Sequence, residues 1–262
     1  MKHQIKKLTD RITLLYGITM ECCIYLVEGS ERALLIDTGL GAIDIRSEIE
    51  ELTSLPYDIV NTHGHGDHTG GNIYFPVVCM HKASEPDARG FLELNKTVLT
   101  EEEVAAVEAQ LAKGTYEIRY ISDGFTFDLG DRHLEVISIP GHSSGCIALL
   151  DHEDRIVFSG DCFVKSMPIQ MVVPTALTIR EYLESLHKLQ ARSEEFDSFC
   201  TGHDEQLEPK IFLNDVTECC EKLVSGEITG EDITLPPVYG DTRAKSIKGN
   251  GFTLAYRPWR IE

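Results

Sequence analysis

Four side chains able to hold a metal ion fall within six residues of the run Asn61-Thr62-His63-Gly64-His65-Gly66-Asp67-His68-Thr69-Gly70-Gly71. In an extended segment, residues two apart face the same way, so His63 and His65 can converge on one ion. The intervening glycines let the chain turn tightly and aim Asp67 and His68 at a neighbouring position. Imidazole and carboxylate at this density suit a divalent ion of the zinc type. Groups packed so closely would repel one another when protonated, and a cation among them offsets that repulsion.

Three further pieces follow in order. Pro140-Gly141-His142-Ser143 places His142 in a turn after a predicted strand, Phe158-Ser159-Gly160-Asp161 ends a strand on Asp161, and Cys200-Thr201-Gly202-His203 does the same with His203. Upstream, Leu35-Ile36-Asp37-Thr38-Gly39 supplies one more strand-end carboxylate, Asp37.

The elements that must position these groups are short. Strands are expected over 12–18, 22–27, 32–37, 57–62, 75–80, 125–129, 133–139, 146–150 and 155–158. Thr100 with Glu103 and Thr178 with Glu181 are capping-box pairs that open two helices. A third helix is expected over 209–224. The stretch 225–251, rich in Gly, Pro and Thr, reads as a long irregular connection before a last strand at 252–256, of the kind that serves a site. Strands in meandering groups do not suit a regular doubly wound succession; they suit two mixed sheets packed together with helices outside.

The ordered set Asp37, His63-x-His65-x-Asp67-His68, His142, Asp161 and His203 resembles the five motifs of the metallo-β-lactamase-fold hydrolase superfamily, over residues 30 to 205. The stretch from Gly130-Asp131-Arg132 through Pro140-Gly141-His142 to Ser159-Gly160-Asp161 is also similar to single-domain acyl thioesterases of that superfamily. The resemblance implies an α/β fold, a four-layer αββα sandwich of two mixed β-sheets flanked by helices, with residues 1–262 as one domain. It implies that His63, His65 and His142 hold a first metal, that Asp67, His68 and His203 hold a second, and that Asp161 bridges them. Asp37 would fix the ligands through hydrogen bonds from behind. Two zinc ions are the expected cofactors, with iron or manganese as alternatives.

Two Zn²⁺, two carboxylates and one hydroxide leave such a centre near +1. Zinc lowers the pKa of its water to about 7, so a metal-bound hydroxide oriented by Asp67 could attack an activated carbonyl, most naturally a thioester or small ester. Departures from other branches narrow the substrate. Lactone-cleaving members carry Tyr where Val164 stands, secreted zinc β-lactamases carry Cys where Asp161 stands, and glyoxalase-type thioesterases append a helical region where this chain is strand-like. Alternatives are hydrolysis of a β-lactam or lactone, a mononuclear iron sulfur dioxygenase on the same histidines, and a metal-binding protein without turnover. Cys162, beside Asp161, is read as a bystander and Lys165 as a surface lysine.

Composition bounds the partners. With 24 Lys plus Arg against 43 Asp plus Glu in 262 residues, the charge of −19 opposes nucleic acid and phosphate-rich substrates. The expected partner is a small molecule. No run of eighteen apolar residues suggests a membrane span, and no apolar stretch of leader length follows Met1-Lys2, so a cytoplasmic setting is expected. The eight cysteines show no CxxC spacing and read as buried thiols. The stretch 241–262 carries Arg243, Lys245, Lys248, Arg257 and Arg260 against Asp241 and Glu262 and reads as a solvated basic edge. Residues 84–110, acidic in balance, read as a polar cover or an oligomer contact. No feature fixes an oligomeric state.

Overall fold

The structure, a computed structural model, describes residues 2–18 and 22–262, and the chain divides into two compact units, Met1–Ile137 and Ser138–Glu262.

The first unit runs β1 (Gln4–Lys7), β2 (Ile12–Tyr16), β3 (Ile24–Glu28), β4 (Ala33–Ile36), α1 (Arg46–Leu52), β5 (Tyr57–Val60), α2 (Gly66–Thr69), β6 (Val77–His81), α3 (Glu85–Asn95), α4 (Glu101–Leu111) and β7 (Glu117–Ile121). A hairpin of β8 (Thr126–Asp128) and β9 (His133–Ser138) follows. Strands β1 to β7 form one sheet in chain order. The steps from β1 to β4 are antiparallel and those from β4 to β7 parallel. The change of direction follows from the connections: short links join the early strands, whereas helices intervene once pairing turns parallel. Strand β4, Ala33-Leu34-Leu35-Ile36, is buried at every residue, the apolar run expected of a strand covered on both faces.

Residues 84–110 also contribute to the core. They form most of α3 and α4, whose Ala88 and Val107 enter the core with Leu26, Leu35, Ile49 and Met80. Glu101, Glu102 and Glu108 of α4 are exposed, in contrast to the buried Val107. Both halves of the Thr100–Glu103 capping box are present.

The second unit contains β10 (Ile147–Asp151), β11 (Ile156–Gly160), β12 (Ile169–Met171), α5 (Ile179–Gln190), β13 (Ser198–Thr201), β14 (Glu208–Pro209), α6 (Ile211–Val224), β15 (Glu231–Thr234), β16 (Arg243–Lys248) and β17 (Thr253–Tyr256). Here β14, β13, β11 and β10 lie in that order; β11 and β13 are parallel and the other steps antiparallel. Helix α5 opens on the Thr178–Glu181 capping box and buries Leu183, Leu186 and Leu189.

A second, four-stranded sheet has the order β12-β17-β16-β15. It corrects the expectation of an irregular connection over 225–251, which instead holds β15 and β16, paired from Glu231–Ser246 to Thr234–Arg243. Both strands are rich in polar residues, with Ile233, Ala244 and Ile247 as their apolar members, so they lack the apolar alternation that reveals a half-buried strand. The basic edge is corrected in part as well. Arg257 is buried, donating to the carbonyls of Val172, Arg243 and Tyr239, and Arg260 donates to those of Val173, Pro174 and Ala176. Lys165 is no ordinary surface lysine: its Nζ lies 2.6 Å from the buried Glu208 carboxylate.

The chain is thus an α/β protein of mixed sheets and helices. All eight cysteines are buried and outside any disulfide. Among the described residues, no helix is long and apolar enough to cross a membrane.

Candidate metal centre

Each unit gathers its own share of the expected ligands. In the first, β5 leads into a bend at 61–65 rather than an extended strand, and α2 then makes one helical turn. Even so, His63 Nε2 and His65 Nδ1 come within 3.1 Å. Two nitrogens on one tetrahedral zinc, at the usual Zn–N length, stand about 3.3 Å apart. The ring centroids of His63 and His68 are 4.1 Å apart, and His68 Nε2 lies 3.6 Å from an Asp67 carboxylate oxygen.

The glycines serve close packing more than turning. Neither Gly64 nor Gly66 has a positive φ. A Cβ at Gly64 would overlap the carbonyl oxygen of Ser84, and one at Gly66 the amide oxygen of Asn95. Asn95 in turn donates to the carbonyls of Leu40 and Gly66, tying α3 to the histidine loop.

Asp37 holds this loop from behind. It sits just past β4 at φ +64°, a left-handed conformation that a non-glycine residue rarely adopts and that marks functional sites. One carboxylate oxygen accepts the Thr62 backbone N–H, and the other accepts the Thr62 hydroxyl and faces His68 Nδ1, each at 2.8 Å. A carboxylate on Nδ1 fixes the tautomer in which Nε2 carries the lone pair. Thr38, Asn61 and Asn72 complete a buried network that grips the His68 carbonyl.

In the second unit, Asp161 and His203 leave the same end of neighbouring parallel strands. Gly160 pairs with Thr201, and the Gly202 N–H donates to the Gly160 carbonyl. Asp161 Oδ2 lies 3.4 Å from His203 Nε2 and 3.6 Å from His142 Nε2. His142 Nδ1 faces the Gln170 carbonyl at 3.0 Å, which again turns Nε2 toward the carboxylate. Asp204 braces the His203 loop, accepting from the Thr201 hydroxyl and from the backbone of Lys165 and Ser166.

These nitrogen–oxygen separations of 3.4–3.6 Å are long for charge-assisted hydrogen bonds, which close to about 2.7–2.9 Å, yet they suit two ligands of one ion. With Nε2 turned inward on His68 and His142, the donor set fits a divalent cation.

Sequence reasoning missed Cys22, whose Sγ lies within 4.8 Å of ligand atoms of Asp37 and His68. Burial pushes this thiol well above its ordinary range, which keeps it protonated. Burial does the same to Cys162, whose Sγ turns to the Ile139 carbonyl. Gln170 acts through its backbone, and no side-chain pattern announces a carbonyl.

Comparison with known proteins fits this architecture. The model of the metallo-beta-lactamase superfamily matches residues 20–195, and the chain belongs to that superfamily, whose membership implies divalent-metal binding. A human acyl-coenzyme A thioesterase, MBLAC2, is 35% identical over 158 residues, 53% of this chain and 57% of its own. A hydroxyacylglutathione hydrolase from Hyphomonas neptunium is 32% identical over 139 residues, 52% of this chain and 46% of its own. The chain thus spans about half the length of these curated relatives. The DIM-1 metallo-beta-lactamase structure superposes with a TM-score of 0.63 at 16% identity, covering 85% of this chain and 98% of that one. A metallo-beta-lactamase from Pontibacter korlensis gives 0.60 at 18%, covering 83% and 98%. These two likenesses show the fold.

Proposed function

We propose that this protein is a metal-dependent hydrolase of acyl thioesters, with residues 1–262 acting as one domain. The observation that carries the reading is the pinning of His68 and His142 through Nδ1, which turns Nε2 of each toward a carboxylate. His63, His65 and His142 are assigned to one ion and Asp67, His68 and His203 to a second, with Asp161 shared. Zinc is the preferred metal. When bound, such cations make water acidic enough to yield hydroxide near neutral pH and draw charge from a carbonyl oxygen.

The protein's own groups do the rest. The buried Asp37 keeps His68 in one tautomer, and Asp67, whose side chain is 26% exposed, orients water and can hold its proton on Oδ. Hydroxide adds to the thioester carbon, the C–S bond breaks, and the thiolate leaves and takes up a proton, with no Ser or Cys nucleophile required. The raised, protonated states of Cys22 and Cys162 agree with that division of labour. The thioester is favoured because the two relatives named above act, by their names, on acyl groups carried by coenzyme A and glutathione, both thiols.

The test is a hydrolysis screen of metal-loaded and chelator-treated protein on acyl-coenzyme A, S-acylglutathione, a lactone and a β-lactam. The expected result is metal-dependent thioester cleavage that falls more than about 100-fold in His68→Ala. Turnover that survives the chelator, or is confined to the β-lactam, overturns the reading.

A further inference from the structure

The basic segment singled out in the sequence has a use that the proposed chemistry leaves open. Tyr239, Asp241, Arg243, Arg257, Trp259 and Arg260 line a cavity of about 500 Å³ in the second unit. Three of its lining residues are guanidinium cations and one is an acid, a local excess of two positive charges in a chain of net −19. The carbonyls that satisfy Arg257 and Arg260 are neutral, so they fill hydrogen-bonding needs without cancelling charge. Arg243 is ion-paired with Asp241, and its hydrogen bonds hold the Asp241 carboxyl down at about 2.

Beside these charges stands an aromatic plate. Trp259 is 50% exposed, with the guanidinium carbons of Arg243 and Arg257 at 4.9 and 5.6 Å from its ring. A half-exposed indole beside one buried and one exposed guanidinium suits a ligand with both a flat ring and negative charge. The volume lies in the range of small-molecule sites, about 300–1,000 Å³, and far exceeds the needs of an inorganic anion. The cavity also touches the machinery of the first reading. The Tyr239 hydroxyl donates to the Gln170 side-chain oxygen at 2.9 Å, and the carbonyl of that same Gln170 anchors His142.

We propose that this cavity binds the phosphorylated nucleoside end of a nucleotide-linked acyl thioester, with a phosphate hydrogen-bonded to Arg243 in the positive field of Arg257 and Arg260 and the base against Trp259; the substrate class rests on the thioester reading above. Nucleotide phosphates would be repelled by most of this acidic surface, and the cluster gives them a place to dock. Arg243 is the adjustable member, with its side chain 76% exposed, and can exchange Asp241 for a phosphate oxygen.

The experiment titrates the full chain, metal-loaded and chelator-treated, with adenosine 3′,5′-bisphosphate by calorimetry. Saturable one-to-one binding is expected in both forms, at least about tenfold weaker in Arg243→Glu and in Trp259→Ala, restored in Trp259→Phe, and about 100-fold weaker for inorganic phosphate. In turnover, Arg243→Glu should raise the KM for an acyl-coenzyme A about tenfold, with kcat kept and the KM for the matching acyl-pantetheine unmoved. Absence of binding, or binding that neither substitution weakens, overturns the proposal. Nucleotide binding of the expected pattern without hydrolysis of any thioester removes the catalytic reading and leaves the cavity assignment standing. Hydrolysis of both thioesters at equal KM with no nucleotide bound does the opposite.

Discussion

His68 in the first unit and His142 in the second are both pinned at Nδ1, but by different kinds of group. A buried carboxylate, Asp37, faces His68 at 2.8 Å, whereas a backbone carbonyl, Gln170, faces His142 at 3.0 Å. The carboxylate adds negative charge behind the ring and makes Nε2 a stronger donor; the carbonyl fixes direction with less electrostatic help. One anchor can be removed by a single substitution, and the other survives any change of side chain that leaves β12 in place. The first cluster is therefore tuned by sequence and the second by backbone position.

The largest effect is expected at Asp161, because one of its oxygens faces both His142 and His203. Asp161→Ala should lower kcat/KM more than about 100-fold and reduce the metal retained per chain, as read by steady-state kinetics and elemental analysis. Full activity in this variant would break the comparison, since the second cluster would then have no role. Asp37→Asn comes next. An amide donating to His68 Nδ1 would move the ring proton to Nε2 and block that atom as a ligand, with a loss of about 10–100-fold in metal affinity by chelator competition. An unchanged affinity would show that the carboxylate anchor does not matter. The smallest effect belongs to Gln170→Ala, which keeps the carbonyl. Activity should change by no more than about threefold, and stability by about 1 kcal/mol for the lost Tyr239 hydrogen bond, read by denaturant titration. A loss as large as that of Asp37→Asn would erase the difference between the anchors.

The same contrast explains what could be read without a structure. His63, His65, Asp67 and His68 are local, so their convergence follows from spacing, although the chain bends there instead of running extended. Asp161 and His203 lie 42 positions apart, and only the parallel pairing of β11 with β13 brings them together; strand-end placement suggested this without specifying the pairing. Both capping boxes were legible because each is a four-residue device. Strands β15 and β16 were not, since strands with so few apolar residues carry no apolar period. Arg257 reads in sequence as one more surface cation, and only tertiary structure reveals the ring of carbonyls that takes it inside.

The order of strands carries a kinetic consequence. Every strand of the β1–β7 sheet lies beside its predecessor in the chain, so the sheet can grow by successive closures, by short links as far as β4 and across one or two helices beyond it. The small sheet cannot, because β17 must slot between β16 and β12, and its pairing partner Ile169 precedes Leu254 by 85 positions. Closing so distant a contact delays the reward for the entropy surrendered. On refolding from denaturant, amides of β2 to β4 should therefore gain protection from exchange before those of β17, and Tyr239 should reach Gln170 among the last native contacts to form.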